Sequence, residues 1–424
     1  MNKHIIIFFI SLFLLIFALK GQAFTSSSYM ITNAAIKNLD YEKAYSYFIK
    51  NNEYLDELEL NKKLITFINL GLFEESVKIA KEILKINNLN QDAWIVYLTN
   101  EKLNDSNTGF FDFLSKKLSK KMTLVDYTFF NDDKTFKDNK ESAFSIFEII
   151  EATIKDSELK NNNYESILFY LKICNTLNKE FYEGYYYLAQ VYQFLKDFEK
   201  SELVYNMIPY THNLYIESQK NIAFNKIKMS KFNEGENYLI QLINYYPDVN
   251  SLNIALADFY RLEKKYDKAI LVYTDIITSK KFISSDYWSL LFHRAICYER
   301  LSEWNLAEKD LILSLDIKAN SPNVLNYLAY SWLEKNIYIE RALEMLKKAY
   351  EKDPTNPYII DSLAWAYFKI NNLKKASQLM EKAISITPGE AISLDHLGDI
   401  YFAMNRKREA IYLWLQAKDL AEPE

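Results

Sequence analysis

The sequence predicts an all-α chain, a solenoid of antiparallel helix pairs, and three observations carry that prediction. Turn-formers are scarce: 424 residues hold only 7 Gly and 7 Pro, whereas sheet-rich folds need many residues tolerant of unusual backbone angles. A tiny residue recurs at Ala189, Ala223, Ala257, Ala295, Ala329, Ala364 and Gly398, at intervals of 34, 34, 38, 34, 35 and 34. A second small residue follows each by twelve or thirteen positions, at Ser201, Gly235, Ala269, Ala307, Ala342, Ala376 and Ala410. Seven units in one register are not a chance pattern.

The chain opens with Lys3 and His4 before "IIIFFISLFLLIFAL", an apolar run from Ile5 to Leu19 broken only by Ser11. Such a run is short for a membrane span, which needs about 20 residues, and it fits the apolar region of a secretory leader. Small Gly21 and Ala23 then suit cleavage after Ala23, so residues 1–23 read as a signal peptide. The alternative is an uncleaved anchor over residues 5–19, with membrane association through the N-terminus. Removing residues 1–23 takes away Lys3 and Lys20 and leaves 49 basic against 56 acidic side chains, a net charge of about −7. Nucleic acid is a poor partner for that body, because duplex binding rests on neutralising phosphates. The run "SKKLSKK" (115–121) reads as a solvated helix face.

Residues 29–99 read as helix pairs of the same kind, with "LDYEKAYSYF" (39–48) and "GLFEESVKIAKEIL" (71–84) as second helices. Residues 100–180 are degenerate, and residues 181–420 hold the seven well-formed units. Within one unit Ile360, Leu363, Ala364 and Tyr367 fall at i, i+3, i+4 and i+7, the stripe of an amphipathic helix. After "INN" (370–372), Ala376, Leu379, Met380 and Ala383 draw a second stripe. The small residues belong where two helices cross, and the aromatic three positions after the first of them (Tyr192, Tyr260, Tyr298, Trp332, Tyr367, Tyr401, with Lys226 the exception) fills the adjoining hole. Pro322 and Pro357 open units, where a missing N–H costs nothing. Cys174 and Cys297 lie three helix pairs apart, beyond the reach of a disulfide, and read as packing residues.

The glycine spacing excludes several chemistries. The closest two glycines, 389 and 398, are nine apart, so neither a dinucleotide fingerprint nor a phosphate-cradling loop can be written. The Gly-x-Ser-x-Gly elbow of serine hydrolases is equally impossible. The four histidines (4, 212, 293 and 396) are scattered. One stretch, "DHLGDIYF" (395–402), places His396 between Asp395 and Asp399. Two carboxylates on one helix fall short of a closed metal site, so no metal, cofactor or small-molecule substrate is expected.

These units resemble the tetratricopeptide repeat family, whose period is 34 residues. Residues 357–388 carry Leu363, Ala364, Tyr367, Ala376, Ala383 and Pro388 in place, with Ile360 for the family's Trp and Met380 for its Phe. The resemblance implies a right-handed superhelix, about eleven helix pairs here, whose first helices line a groove for partner proteins. By the same resemblance the second, fifth, ninth and twelfth positions of those helices project into the groove. Here they supply Asn326, Tyr330, Tyr358, Asp361, Trp365, Phe368, Asp395, Asp399 and Phe402. Asp361 and Asp395 are expected to stack as an acidic ladder beside Tyr330 and Trp365, with His396 off that face, so that the groove takes basic segments. The basic clamp with which some family members hold a C-terminal carboxylate has no counterpart.

The chain is also similar to exported repeat proteins of Gram-negative bacteria. The expectation is a non-enzymatic, periplasmic scaffold that binds other envelope proteins. Its rivals are an assembly factor anchored in the inner membrane and facing the periplasm, and an enzyme seated in residues 100–180. The last helix, "REAIYLWLQAKDL" (408–420), departs from the pattern. Ala410, Trp414 and Ala417 pack inward by register, while Ile411, Tyr412 and Leu415 stand where Ser377, Gln378 and Glu381 stand one unit earlier. Either the chain end shields them, or they form a docking face for a second copy, a partner or a membrane surface. A two-fold homodimer is the simplest form.

Overall fold

A computed structural model describes residues 30–50, 55–104, 123–131, 137–156, 164–279 and 287–421. The leader expected at 1–23, the run 115–121 and the last three residues lie outside the described residues. Every helix-length element among them is α-helical. The chain divides into two units, residues 1–235 and 236–424, with the division falling inside one helix.

In the first unit the helices are α1 (30–37), α2 (Tyr41–Lys50), α3 (Glu57–Asn69), α4 (Phe73–Ile86) and α5 (Gln91–Leu103). They are followed by α6 (Thr123–Phe129), α7 (Asn139–Asp156), α8 (Tyr164–Leu177), α9 (Tyr182–Phe194), α10 (Phe198–Tyr205) and α11 (Tyr215–Lys228). Helix α12 (Phe232–Tyr245) carries the division. The second unit continues with five pairs: α13 (Asn250–Leu262) and α14 (Tyr266–Thr278), α15 (Tyr287–Arg300) and α16 (Trp304–Ile317), α17 (Pro322–Glu334) and α18 (Ile339–Lys352), α19 (Pro357–Lys369) and α20 (Leu373–Ile386), α21 (Ala391–Ala403) and α22 (Lys407–Leu420).

The recurring small residues sit at the helix crossings. Ala189, Ala223, Ala257, Ala295, Ala329 and Ala364 are fully buried, and so are Ser201, Ala269, Ala307, Ala342, Ala376 and Ala410. Gly398 shows why that position stays small: a Cβ there would come within 2.5 Å of Trp414 Nε1 on the facing helix. Large side chains fill the space between crossings, led by Trp332, which is fully enclosed and donates to Glu308 Oε1 at 2.6 Å. Cys174 and Cys297 are free and buried.

The turns explain how the chain manages with so few glycines. Each links the two helices of a pair through a residue in the left-handed region: Leu39, Gly71, Lys196, Ser230, Lys264, Ser302, Asn336 (joined there by Tyr338), Asn371 and Asn405. At Asn371 the closing bonds run from its own N–H to Phe368 O and from the Asn372 N–H to Tyr367 O, both 2.8 Å. That is a Schellman turn, which satisfies the last carbonyls of the helix it ends. The same two bonds recur at every one of these positions. Only Gly71 escapes the Cβ penalty of the left-handed region.

The first unit does not run as a simple stack. Helix α8 packs on its neighbours α7 and α9 and also on the distant α3 and α5. Tyr170 on α8 donates to Asp92 Oδ1 on α5 at 2.7 Å, across 78 residues of sequence. The part of residues 100–180 that is described folds as packing helices, with Phe129, Ala143, Ile146, Leu171 and Ile173 fully buried.

Candidate partner-binding groove

The groove candidates lie on the first helices α17, α19 and α21. Helix α19 is fixed at its start by Pro357 and by Asn356, whose side-chain oxygen accepts from the Tyr358 and Ile359 N–H groups. That start sets which residues share a face. The inner side of the second unit is narrow: Tyr330 on α17 and His396 on α21, two pairs apart, have ring centroids 6.2 Å apart.

The expected acidic ladder does not form. Asp361 is 7% exposed, whereas Asp395 is open to solvent. Asp361 instead accepts from Ser393 Oγ at 2.5 Å and lies 3.0 Å from His396 Nδ1. A carboxylate can only accept, so Nδ1 carries the proton in that contact. The His396 ring lies flat on Trp365 at 4.1 Å and 16°, and Trp365 in turn stacks on Phe368 at 4.8 Å. His396 therefore lies on this side, not off it. The physical reason is desolvation: a buried carboxylate needs donors, and the next first helix supplies two of them one turn apart.

The other candidates divide into enclosed and open groups. Trp365 is buried and donates from Nε1 to Glu334 Oε1 at 2.8 Å. Tyr330 is half-buried, and burial, then the Glu334 and Asp361 carboxylates, push its phenol well above the ordinary value. Asn326 is half-buried too, with its side-chain oxygen enclosed and unbonded. Tyr358 is exposed and donates to Glu390 Oε1 at 3.3 Å. The open end of the groove is made by Asp395, half-buried Asp399, half-buried Phe368 and exposed Phe402, whose ring lies 5.6 Å from Trp414. Burial and then the Asp395 carboxylate raise Asp399 above the usual aspartate range, against the Trp414 N–H, His396 and Lys369.

A second polar cluster escaped the sequence reading. On α13, Asp258 Oδ1 accepts from Tyr273 Oη at 2.6 Å and from Arg261 Nη2 at 3.1 Å, with His293 Nδ1 at 3.4 Å. Burial, the largest influence, lowers the His293 pKa. The signal was there to be read. His293 and His396 each stand two residues before the tiny residue of their unit, Ala295 and Gly398. The histidines hold one repeat position, and at both sites the ring ties a first helix to an aspartate of the preceding one. Among the described residues, no group of three or more His, Cys, Asp or Glu side chains is placed to hold a metal ion.

Comparison with known proteins follows the same register. The tetratricopeptide repeat family model matches residues 339–394, which run from α18 into α21. The anaphase-promoting complex subunit CDC16 of Saccharomyces cerevisiae is 26% identical over 156 residues, 35% of this chain and 18% of that protein. A TPR repeat-containing protein of Pseudomonas aeruginosa is 27% identical over 88 residues, 21% of this chain and 15% of that protein. The chain thus spans less than a fifth of the length of either relative. A solved tetratricopeptide repeat protein from Parabacteroides merdae aligns with 57% of this chain and 94% of its own, at 16% identity and a TM-score of 0.44. The successive helix pairs give this chain an all-α architecture, and within it residues 339–394 match the tetratricopeptide repeat family.

Proposed function

We propose that the protein is a non-catalytic scaffold of the bacterial cell envelope that holds basic segments of partner proteins at the open end of the α19–α21 groove. The observation that carries this reading is acid and aromatic surface on one helix face: exposed Asp395, half-buried Asp399 and exposed Phe402 follow one another on α21, with half-buried Phe368 on α19. A Lys or Arg laid over such a ring gains cation–aromatic contact in addition to ion pairing, about 0.5–2 kcal/mol. The buried Asp361, Trp365 and His396 hold the groove wall in shape and are not contact residues. Support for the envelope comes from the leader-like residues 1–23. The mass of the chain recovered from its producing cells tests that part, with a mature start at Phe24 expected and an intact N-terminus contradicting cleavage.

Fluorescent peptides of equal length, one lysine-rich with aromatics, one neutral and one glutamate-rich, test the groove by anisotropy. The basic peptide should bind, and more weakly as salt rises. Because Asp399 titrates above the usual aspartate range, binding should grow as pH rises through that titration and be complete at neutral pH. Asp395→Lys with Asp399→Lys should abolish it. Unchanged affinity in that double variant would remove the groove reading.

A further inference from the structure

The C-terminal helix carries exposed apolar residues at positions where several earlier units bond to, or are buried against, the next first helix. In three preceding pairs of the second unit, a residue one or five after the small residue of the second helix accepts a hydrogen bond from the next first helix. Thr274 accepts from Arg294 Nη1 at 3.0 Å, Glu308 from Trp332 Nε1 at 2.6 Å, and Glu381 from Tyr401 Oη at 2.9 Å. Leu343 and Ser377 are buried there. On α22 the corresponding residues, counted from Ala410, are Ile411 and Leu415, which are 54% and 56% exposed beside Tyr412 at 63%.

What the face does match is itself. Arg408, Tyr412, Leu415 and Asp419 are all exposed and follow one another by 4, 3 and 4 residues, the spacing of a seam between two packed helices. Opposite charges stand at the two ends with apolar side chains between. The stripe is symmetric about a point between residues 413 and 414. Two such helices laid antiparallel across a two-fold axis at that point set Arg408 against the partner's Asp419, and Tyr412 against the partner's Leu415. A parallel arrangement would set Arg408 against Arg408 and Asp419 against Asp419.

We propose that α22 is the seam of a homodimer, occupied by α22 of a second copy in this antiparallel register. This deepens the scaffold reading by naming what the C-terminal face holds, and it gives each dimer two grooves. A two-fold contact uses one patch on both subunits and closes the assembly at two. A single helix of 14 residues makes a small interface, so self-association belongs in the range of roughly 1–100 µM.

Sedimentation velocity of the full-length protein, from about 1 to 500 µM, tests the proposal. The wild type should pass from monomer to dimer in that window. Arg408→Asp alone, and Asp419→Arg alone, set like charges together and should each weaken self-association by about tenfold or more. Mixed one to one, the two variants regain opposite charges at both ends and should form a heterodimer close to wild-type affinity. Leu415→Glu should be monomeric with unchanged helical circular dichroism, because the side chain is exposed. A wild type that stays monomeric throughout, or variants that dimerise as the wild type does, would overturn the proposal. So would a monomer that binds anionic lipid vesicles through Tyr412 and Leu415. Peptide binding at Asp395 and Asp399 is read separately, so either reading can fail without the other.

Discussion

The two units of this chain are built from similar helix pairs but joined differently. From α13 to α22 each helix packs on its neighbours in sequence, with further contact between first helices, where Tyr330 reaches His396 two pairs on. In residues 1–235 helix α8 reaches back to α3 and α5, and Tyr170 ties it to Asp92. The difference follows the small-residue register. From Ala189 onward a tiny residue returns every 34–38 positions, and each pair can lie against the next in one repeated way. Upstream that register lapses, and the apolar faces of α7 and α8 are buried by closure onto earlier helices. A period makes an open stack whose stability is a sum over neighbours; its loss lets a segment behave as one cooperative block.

The largest expected effect comes from emptying the core of each unit. Phe169→Ala on α8 and Trp332→Ala on α17 remove side chains that are 2% and 1% exposed, and each should cost about 3–5 kcal/mol. Their reach should differ. Hydrogen exchange should show protection lost from α3 to α9 for the first, but only from α15 to α20 for the second. A Phe169 variant whose losses stop at α7–α9 would erase the contrast.

A smaller effect comes from the polar ties. Tyr170→Phe and Asp361→Asn each remove or weaken one hydrogen bond to a carboxylate, for about 1–2 kcal/mol apiece. The first should loosen α5 and α8 together, far apart in sequence, whereas the second should be felt where α19 meets α21. Chemical denaturation with exchange mapped by segment separates the two.

The smallest effects lie in the turns. Lys264 holds a left-handed conformation that costs a side chain about 1–2 kcal/mol, and glycine there gives back about 0.4–1 kcal/mol in unfolded-chain entropy. Lys264→Gly should therefore stabilise the second unit by about 0.5–1 kcal/mol. Gly71→Ala in the first unit should cost about 1 kcal/mol, since nothing crowds its Cβ position and only the backbone resists. Thermal melting of the two variants gives both signs.

The stack was legible in the sequence because its cause is local and periodic. Ala376 or Ala364 can be placed by counting, and Pro357 marks a helix start by its chemistry. The groove was legible only as a set of helix positions. Whether Asp361 faces solvent depends on the residues opposite it, Ser393 and His396, which come from 32 and 35 residues away. Counting the fifth position could not show that the next helix would turn it inward. The shared position of His293 and His396 was available to the same counting and would have pointed to both clusters. The return of α8 to α3 and α5 carries no local signature, because a long-range pairing depends on which apolar face finds which.

The most direct test of the nearest-neighbour stack is Ala376→Leu, followed by hydrogen exchange across residues 236–421. Ala376 is enclosed with Ala364, Met380, Leu397, Ile400, Tyr401 and Ala410, and the added carbons should overpack that crossing for about 1–3 kcal/mol. The stack predicts lost protection in α18–α22, while α13–α16 keep wild-type protection. A uniform loss across every helix from α13 to α22 would contradict it.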